Sequence, residues 1–366
     1  MLIFSTETSC DETAVAILKF NQKGQFKLLS NQVSSQIKIH APWGGIVPNL
    51  AAREHSKNIL PVIKKAFSET SLSPKNMDLF CVTSGPGLIP ALLIGVNAVK
   101  TLSYFYQKPL IGVHHIEGHI YSNYIQKNQG DLKQFKFPIL NLVISGGHTQ
   151  LILMKNHLEY EIIGQTQDDA VGEAFDKVAK LLGFEYPGGP IISQQAQEAE
   201  KLLEDKELAG KYSEIKFPRP MMHTKDFNFS FSGLKTAVLY FYQRLETQKL
   251  SKEEPGIWKK FISKAFQEAV VEVLQHKTLK AIETHEPKTV LLSGGVSANN
   301  EILKTIKDTL KEQFPEIIFN SPEKDFCGDN AAMIGVAGIS RYLYGDRKKF
   351  EYNWKNLEAD SNLKIN

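Results

Sequence analysis

His115 and His119, four residues apart in the stretch HHIEGH at 114–119, are the pair in this chain best spaced to hold a metal ion. On a helix such a pair shares one face, so one divalent cation can reach both imidazoles. The stretch also suggests a zinc protease, and its spacing argues against that. In the H-E-x-x-H pattern the water-activating glutamate directly follows the first histidine. Here Glu117 lies two residues on, about 200° around the helix, and should point away from the ion. Gly118 weakens a helix by about 1 kcal/mol relative to alanine, so the segment should be short and held by its surroundings. A buried polar cluster is the competing reading of a lone H-x-x-x-H pair, and only a third ligand reverses it. The best candidate is Asp329, in FCGDN at 326–330, just before the apolar run AAMIGVAGI. Helix capping by Asp329 or Asn330 is the ordinary role there, but a carboxylate at a helix start is also well held for a metal.

The elements around these residues repeat. LIFSTETSCDETAVAILKF at 2–20 has the pattern of a hairpin with a Ser/Asp/Thr tip, and ILNLVISGGHTQLILM at 139–154 has the same one. A strand, glycine turn and apolar helix follow each, first in LFCVTSGPGLIPALLIGVNAVKTL and later in TVLLSGGVSANNEILKTI. Such a repeat implies two similar α/β lobes with their polar turns facing a common cleft. Ser145-Gly146-Gly147 and Gly294-Gly295, each after an apolar strand, would let a phosphate approach bare backbone amides, although a glycine pair alone is more often only a tight turn. In GEAFDKVAKLLG at 172–183, Phe175, Val178, Ala179 and Leu182 fall on one helical face and leave Asp176 on the other. Beside the turn YPGGP at 186–190, Asp176 suits ribose hydroxyls; a solvated helix charge is the plainer reading. Residues 196–285 are rich in Lys and Glu, with a long helix from Trp258 to about Glu283, and look like an insertion on the second lobe. Within them FPRPMMHTKDFNFSFSGLK at 217–235 should be a loop, either an aromatic plug or a substrate-facing segment.

With 366 residues, 42% hydrophobic and 23% charged, the chain has the composition of a globular protein, not of a fibre or a disordered segment. Its start, MLIFSTETSCDET, lacks the basic and apolar regions of an export signal, and no stretch of about 18 uninterrupted apolar residues occurs, so a cytoplasmic protein without a membrane partner is expected. Three scattered cysteines, Cys10, Cys81 and Cys327, argue against disulfides and against a cysteine-based zinc site. The net charge of +3 leaves a nucleic-acid partner open.

Taken together, ETSCDET at 7–13, HIEGH at 115–119, SGGHT at 145–149, GEAFDKVAKLLG, YPGGP, FSFSGLKT at 229–236, SGGVSAN at 293–299 and CGDNAAMI at 327–334 closely resemble the TsaD family over almost the whole chain, in its bacterial form. The resemblance implies a duplicated α/β fold like that of actin, Hsp70 and sugar kinases (the ASKHA fold). On it, residues 1–110 with 322–346 would form the N-terminal lobe, 111–321 the C-terminal lobe with its helical insertion, and 347–366 a tail. It implies transfer of a threonylcarbamoyl group from threonylcarbamoyl-AMP to N6 of adenine 37, beside the anticodon, in tRNAs reading codons that begin with A, forming t6A. By matching motif positions, His115, His119 and Asp329 would hold one divalent metal, iron rather than zinc. Val143, Ile144, Ser145, Gly146 and Gly147, with Asp176, Gly189 and Asn299, would bind the adenylate. Asp11 or Glu12, at the tip of the first hairpin, could take the amine proton; Asp11 is preferred.

The resemblance further implies two partners, the TsaB paralogue and the TsaE ATPase. The stretch ALLIGVNAVKTL at 91–102 could supply an interface, with core packing its competing role. Arg341, Arg347, Lys348, Lys349 and Lys355 could contact tRNA phosphates. The rival activities are a metal-dependent protease (the glycoprotease label once used for this family), a sugar-kinase-type phosphotransferase, and a non-catalytic nucleotide-binding scaffold.

Overall fold

The computed structural model describes residues 1–247 and 255–365. Its two sheets repeat one topology. In the first, β1 (Leu2–Glu7), β2 (Glu12–Phe20) and β3 (Gln25–Ser35) form an antiparallel meander, and β4 (Leu79–Gly85) and β5 (Leu110–His114) add parallel to β1 in the order β5-β4-β1-β2-β3. A short β6 (Gln129–Asp131) extends the β3 edge. In the second, β7 (Ile139–Ile144), β8 (Thr149–Asn156) and β9 (Glu159–Gln165) repeat the meander, and β10 (Thr289–Ser293) and β11 (Ile318–Asn320) repeat the parallel pair in the order β11-β10-β7-β8-β9. The sequence repeat is therefore a repeat of strand order.

Strands covered on both faces read as continuous apolar runs, as β4 does with all seven residues buried. One face of the first sheet packs Phe4, Val15, Ile17 and Val82 against Val62, Ala66 and Phe67 of the Pro48–Thr70 helix and Val96 and Val99 of the Ile89–Tyr106 helix. The other face receives the Ala331–Tyr344 helix so closely that a Cβ on Gly335 or Gly338 would lie 2.4 Å from Leu18 Cδ1 or 2.3 Å from Cys81 Sγ. The Ile89–Tyr106 helix is long and apolar enough to cross a membrane by length and composition. Its buried face, including Ala91, Leu92, Val96 and Val99, is the packing face of a core helix in this lobe. The second lobe is built largely around the Pro255–His285 helix, whose Phe261, Phe266 and Val270 pack with Phe175 and Phe231.

The first sheet also contains β5, which starts at Leu110, and β6, at Gln129–Asp131. The expected insertion is helical at Gly188–Leu202, Lys206–Ser213, Ser232–Thr247 and Pro255–His285, and its residues 248–254 lie outside the described residues. The 217–235 segment is loop up to Phe231, and its last four residues open the Ser232–Thr247 helix. The tail packs back on the first lobe: Trp354, Leu357 and Ala359 join its core, and the amide of Asp360 donates to Ser84 O at 2.8 Å.

Candidate metal and nucleotide site

The HHIEGH stretch divides its work by residue. β5 ends at His114 and the eight-residue helix His115–Ser122 begins at once. His114 caps that helix, its Nδ1 accepting from Ile116 N at 3.1 Å, and its Nε2 donates to Leu363 O at 2.9 Å. Burial, outweighing the hydrogen bond to Leu363, pushes its pKa down to about 4. Gly118, the weak point for helix propensity, is where the last helix leans in: a Cβ there would lie 2.7 Å from Ile334 Cδ1. Glu117 is fully buried and faces away from the histidine pair, accepting from Arg341 Nε at 2.6 Å and Tyr160 OH at 3.0 Å. That tie links the last helix to β9 and removes Glu117 from any water-activating role. It also takes Arg341 out of the expected phosphate-contact surface.

Asp329 completes the pair. Asn330 performs the capping, its Oδ1 accepting from Met333 N at 3.0 Å, which leaves the Asp329 carboxylate for the cleft. One Asp329 oxygen lies 3.2 Å from Nε2 of His119 and 3.6 Å from Nε2 of His115, and one donor atom from each residue falls within 4.8 Å of the others. His119 is fully buried; its Nδ1 has no hydrogen-bonding partner among the described residues, and its Nε2 meets only the Asp329 carboxylate, at 3.2 Å. Two imidazoles and a carboxylate around one point are a donor set for a divalent transition metal with positions left over, so the residues fit the expected ion.

Glu7, which the sequence reading passed over, stands behind this cluster. Fully buried at the end of β1, it accepts from Thr83 Oγ1 and the Ser9 amide, each at 2.5 Å, and from His115 Nδ1 at 3.2 Å. Ser9 Oγ lies 3.1 Å from the same ring nitrogen. These contacts leave Nε2 of His115 as the atom turned to Asp329, the usual role of a carboxylate behind a metal-binding histidine. Burial disfavours charge on His115, but Asp329 and Glu7 outweigh it and raise its pKa to about 9. Burial likewise opposes charge on Asp329, yet His115 and His119 hold its carboxyl well below the ordinary range. His148, a second omission, lies with its ring 6.3 Å from that of His115 and is kept neutral by burial and then by the neighbouring histidines, its pKa pushed down to about 3. Its signal was the histidine in SGGHT.

At the tip of the first hairpin, Asp11 is buried and Glu12 accepts from Ser35 Oγ at 3.0 Å. Burial first, then the charges of Asp11 and Asp329, raises the Glu12 pKa. Asp11 also helps to raise the carboxyl of Asp176, after burial, so the tip and the second lobe feel each other across the cleft.

The second lobe supplies backbone. Ser145 N donates to His148 O at 2.8 Å and closes the turn that carries Gly146 and Gly147. A Cβ on either glycine would meet nothing within 4 Å, and neither has the positive φ that calls for glycine. Packing does not explain them, whereas close approach of a ligand does. The Val171–Leu181 helix starts against this turn, with Gly172 so near that its Cβ would lie 2.6 Å from Ser145 O. Its N-terminal amides and the glycine turn together offer backbone donors that could hold an anion. Asp176 Oδ1 accepts from Gly188 N at 2.7 Å, and a Cβ on Gly189 beside it would make only an ordinary contact, 3.9 Å from Phe175 Cβ. Asn299 caps the Asn300–Gln313 helix through Oδ1 and donates to Gln267 Oε1 at 2.9 Å.

One family model matches this chain, and two relatives and one solved structure are similar to it. The model of TsaD, tRNA N6-adenosine threonylcarbamoyltransferase, matches residues 27–336. A protein of that description from Thermosipho africanus is 46% identical over 365 residues, covering 100% of both chains. One from Listeria welshimeri is 43% identical over 352 residues, covering 96% of this chain and 94% of its own. Among solved structures, full-length HypF in a phosphate- and nucleotide-bound form aligns with a TM-score of 0.57 at 15% identity, over 94% of this chain and 47% of its own, a likeness of fold.

Proposed function

The chain belongs to the TsaD family, and from that premise we propose how its residues carry out threonylcarbamoyl transfer to N6 of adenosine in tRNA. The fold is the two-lobed ASKHA architecture and the activity is that of a transferase. The donor is threonylcarbamoyl-AMP, and the acceptor is adenine 37 of tRNAs reading codons that begin with A.

His115, His119 and Asp329 hold one divalent ion, iron in preference to zinc. The observation that carries this reading is the convergence of three remote side chains within 4.8 Å of one another around the fully buried His119. When bound, the ion supplies Lewis-acid polarisation of the carbamoyl carbonyl. Glu7 keeps the proton of His115 on Nδ1. The donor's phosphate lies against the amides of Val143 to Gly147 and the start of the Val171–Leu181 helix, which stabilise the charge that grows on departing AMP. Asp176 and Gly189 take the ribose, and Asn299 contributes its remaining amide proton. Asp11 accepts the proton lost from N6, beside Glu12, whose pKa is raised by burial and then by Asp11.

TsaB docks on the outer face of the Pro48–Thr70 and Ile89–Tyr106 helices, where Leu60 is 62% and Leu93 43% exposed. TsaE joins this pair, and the protein works in the cytoplasm. Lys348, Lys349, Arg347 and Lys355 remain candidates for tRNA phosphates; Arg347 and Lys355 also lie over the Tyr342 and Trp354 rings.

The rivals fare worse. A protease has no free glutamate at the cluster among the described residues, Glu117 being held by Arg341 and Glu7 by Thr83 and His115, and a phosphotransferase or a scaffold has no use for the histidine pair. Purified protein, its partners, threonylcarbamoyl-AMP and unmodified tRNA should yield threonylcarbamoyladenosine in nuclease digests read by mass spectrometry. Absence of that nucleoside with intact partners, or cleavage of a peptide or phosphorylation of a sugar instead, would overturn the reading.

A further inference from the structure

Ser9, Cys10 and Asp11 lie between the ends of β1 and β2, and the carbonyls of all three are anchored from outside that hairpin. Ser9 O accepts from Leu88 N at 2.8 Å, just ahead of the Ile89–Tyr106 helix. Cys10 O accepts from Nε2 of His55 at 3.0 Å, and Asp11 O from Gln36 N at 2.9 Å. Two of these anchors are main-chain amides. The middle one is a side chain, and so the one that a substitution can remove.

His55 is fully buried on the Pro48–Thr70 helix and is not among the residues assigned to the metal or the adenylate. A carbonyl can only accept, so Nε2 carries the proton; Nδ1, 2.8 Å from Thr13 Oγ1, accepts from that hydroxyl. Burial, outweighing the hydrogen bond to Cys10, lowers the pKa of the ring and favours this neutral form. With both nitrogens spent on protein partners, the ring is neither a metal ligand nor a proton carrier. It is a rigid strut between the helix, the start of β2 and the hairpin tip.

The same helix holds the tip a second time. One turn before His55, Ala51 O accepts from Nε2 of Gln36 at 3.4 Å, and the main-chain amide of Gln36 is the group that holds Asp11 O. Ala51 and His55, four residues apart, share one buried face of the helix. Gln36 is itself fully buried, its Oε1 lying 3.1 Å from Nε2 of His40. A polar turn between two strands is ordinarily a mobile part of a fold, and here it is clamped on both sides of one carboxylate. A proton acceptor must stand within hydrogen-bond reach of the proton it takes, and a displacement of about 1 Å can cost about 10²-fold in rate.

We propose that His55 is a positioning residue for the transfer: by clasping the Cys10 carbonyl and the Thr13 hydroxyl it fixes the backbone before and after Asp11 and so aims the Asp11 carboxylate into the cleft. This rests on the reading in which Asp11 takes the N6 proton.

The test is a double-mutant cycle in the complete transfer assay, with partners and tRNA present. His55→Leu should lower kcat about 10- to 100-fold, while KM for tRNA and for threonylcarbamoyl-AMP, and the metal content, stay within about twofold of wild type. In an Asp11→Asn background the same change should cost less than about twofold more, because the group being aimed is gone. His55→Gln, whose amide can donate to Cys10 O and accept from Thr13, should recover most of the loss. Should His55→Leu not fold, Thr13→Val carries the decision, since it removes only the hydroxyl that holds Nδ1: kcat about 10-fold lower alone, with no further loss beside Asp11→Asn, is expected. A kcat within about twofold of wild type, or the same loss repeated in full in the Asp11→Asn background, would make His55 a core residue only and overturn the proposal. Asp11→Asn alone at the wild-type rate is a separate failure: it would strike the assignment of Asp11 itself, and the proposal with it.

Discussion

At the tip of the β1–β2 hairpin the chain is packed so tightly that a Cβ on Gly87 would strike Ser9 and one on Gly95 would strike Thr8, whereas at the equivalent β7–β8 tip a Cβ on Gly146 or Gly147 would meet nothing within 4 Å. The two turns hold the same place in the repeat. The first is filled with side chains, namely Glu7, Ser9, Asp11 and Glu12, and bears on His115 and Asp329. The second exposes bare amides at a helix start. On the function proposed above, the repeat divides one cleft into a half that manages protons and a cation and a half that receives an anion. Strand order survived because the core requires it, while the tips, which the core does not constrain, diverged in chemistry.

Substitutions can break this division. The largest effect is expected at the carboxylate tip: Asp11→Asn should lower kcat by about 10²- to 10⁴-fold in the transfer assay, and a rate within twofold of wild type would remove Asp11 from the mechanism. At the other tip, Gly147→Val should leave the thermal midpoint unchanged, because the site has room, yet lower kcat/KM for the donor by about 10²-fold through misplacement. A large fall in the midpoint would show that the glycine serves packing instead. Behind the first tip, Glu7→Gln should weaken metal affinity about 10- to 100-fold, measured by chelator competition on folded protein. It should also remove the Nδ1–H signal of His115 in nitrogen-edited NMR; lost stability with unchanged affinity would make Glu7 structural only. Outside both tips, Glu117→Gln should cost about 1–3 kcal/mol of stability in denaturant titration while metal content and transfer by the folded fraction persist. Loss of metal there would revive a role for Glu117 at the ion.

Much of this was legible in the sequence because periodicity and spacing are local. The paired hairpins, the helix that carries Asp176 and the i, i+4 histidines all follow from patterns within about twenty residues. The protease reading failed on spacing alone, and the structure gave the reason, since Glu117 is bound to Arg341, 224 positions away in the chain. What depended on distant contacts was not legible. Glu7 reads as the polar end of an apolar strand, and nothing nearby in sequence links it to Thr83 or His115. Arg341 reads as part of a basic surface until its partner is known. That β6 joins the first sheet at its β3 edge depends on a pairing about a hundred residues apart, and Asp329 and Asn330 could not be told apart until the cap was seen.

The convergence of His115, His119 and Asp329 on one cation is the claim on which the rest stands. Anomalous diffraction at the iron and zinc absorption edges, from crystals of the protein purified without chelators, tests it most directly. A single peak is expected within about 2.0–2.2 Å of His115 Nε2, His119 Nε2 and an Asp329 oxygen, strongest at the iron edge. A metal-loaded protein with its peak elsewhere, or no peak at these three atoms at either edge, would contradict the account.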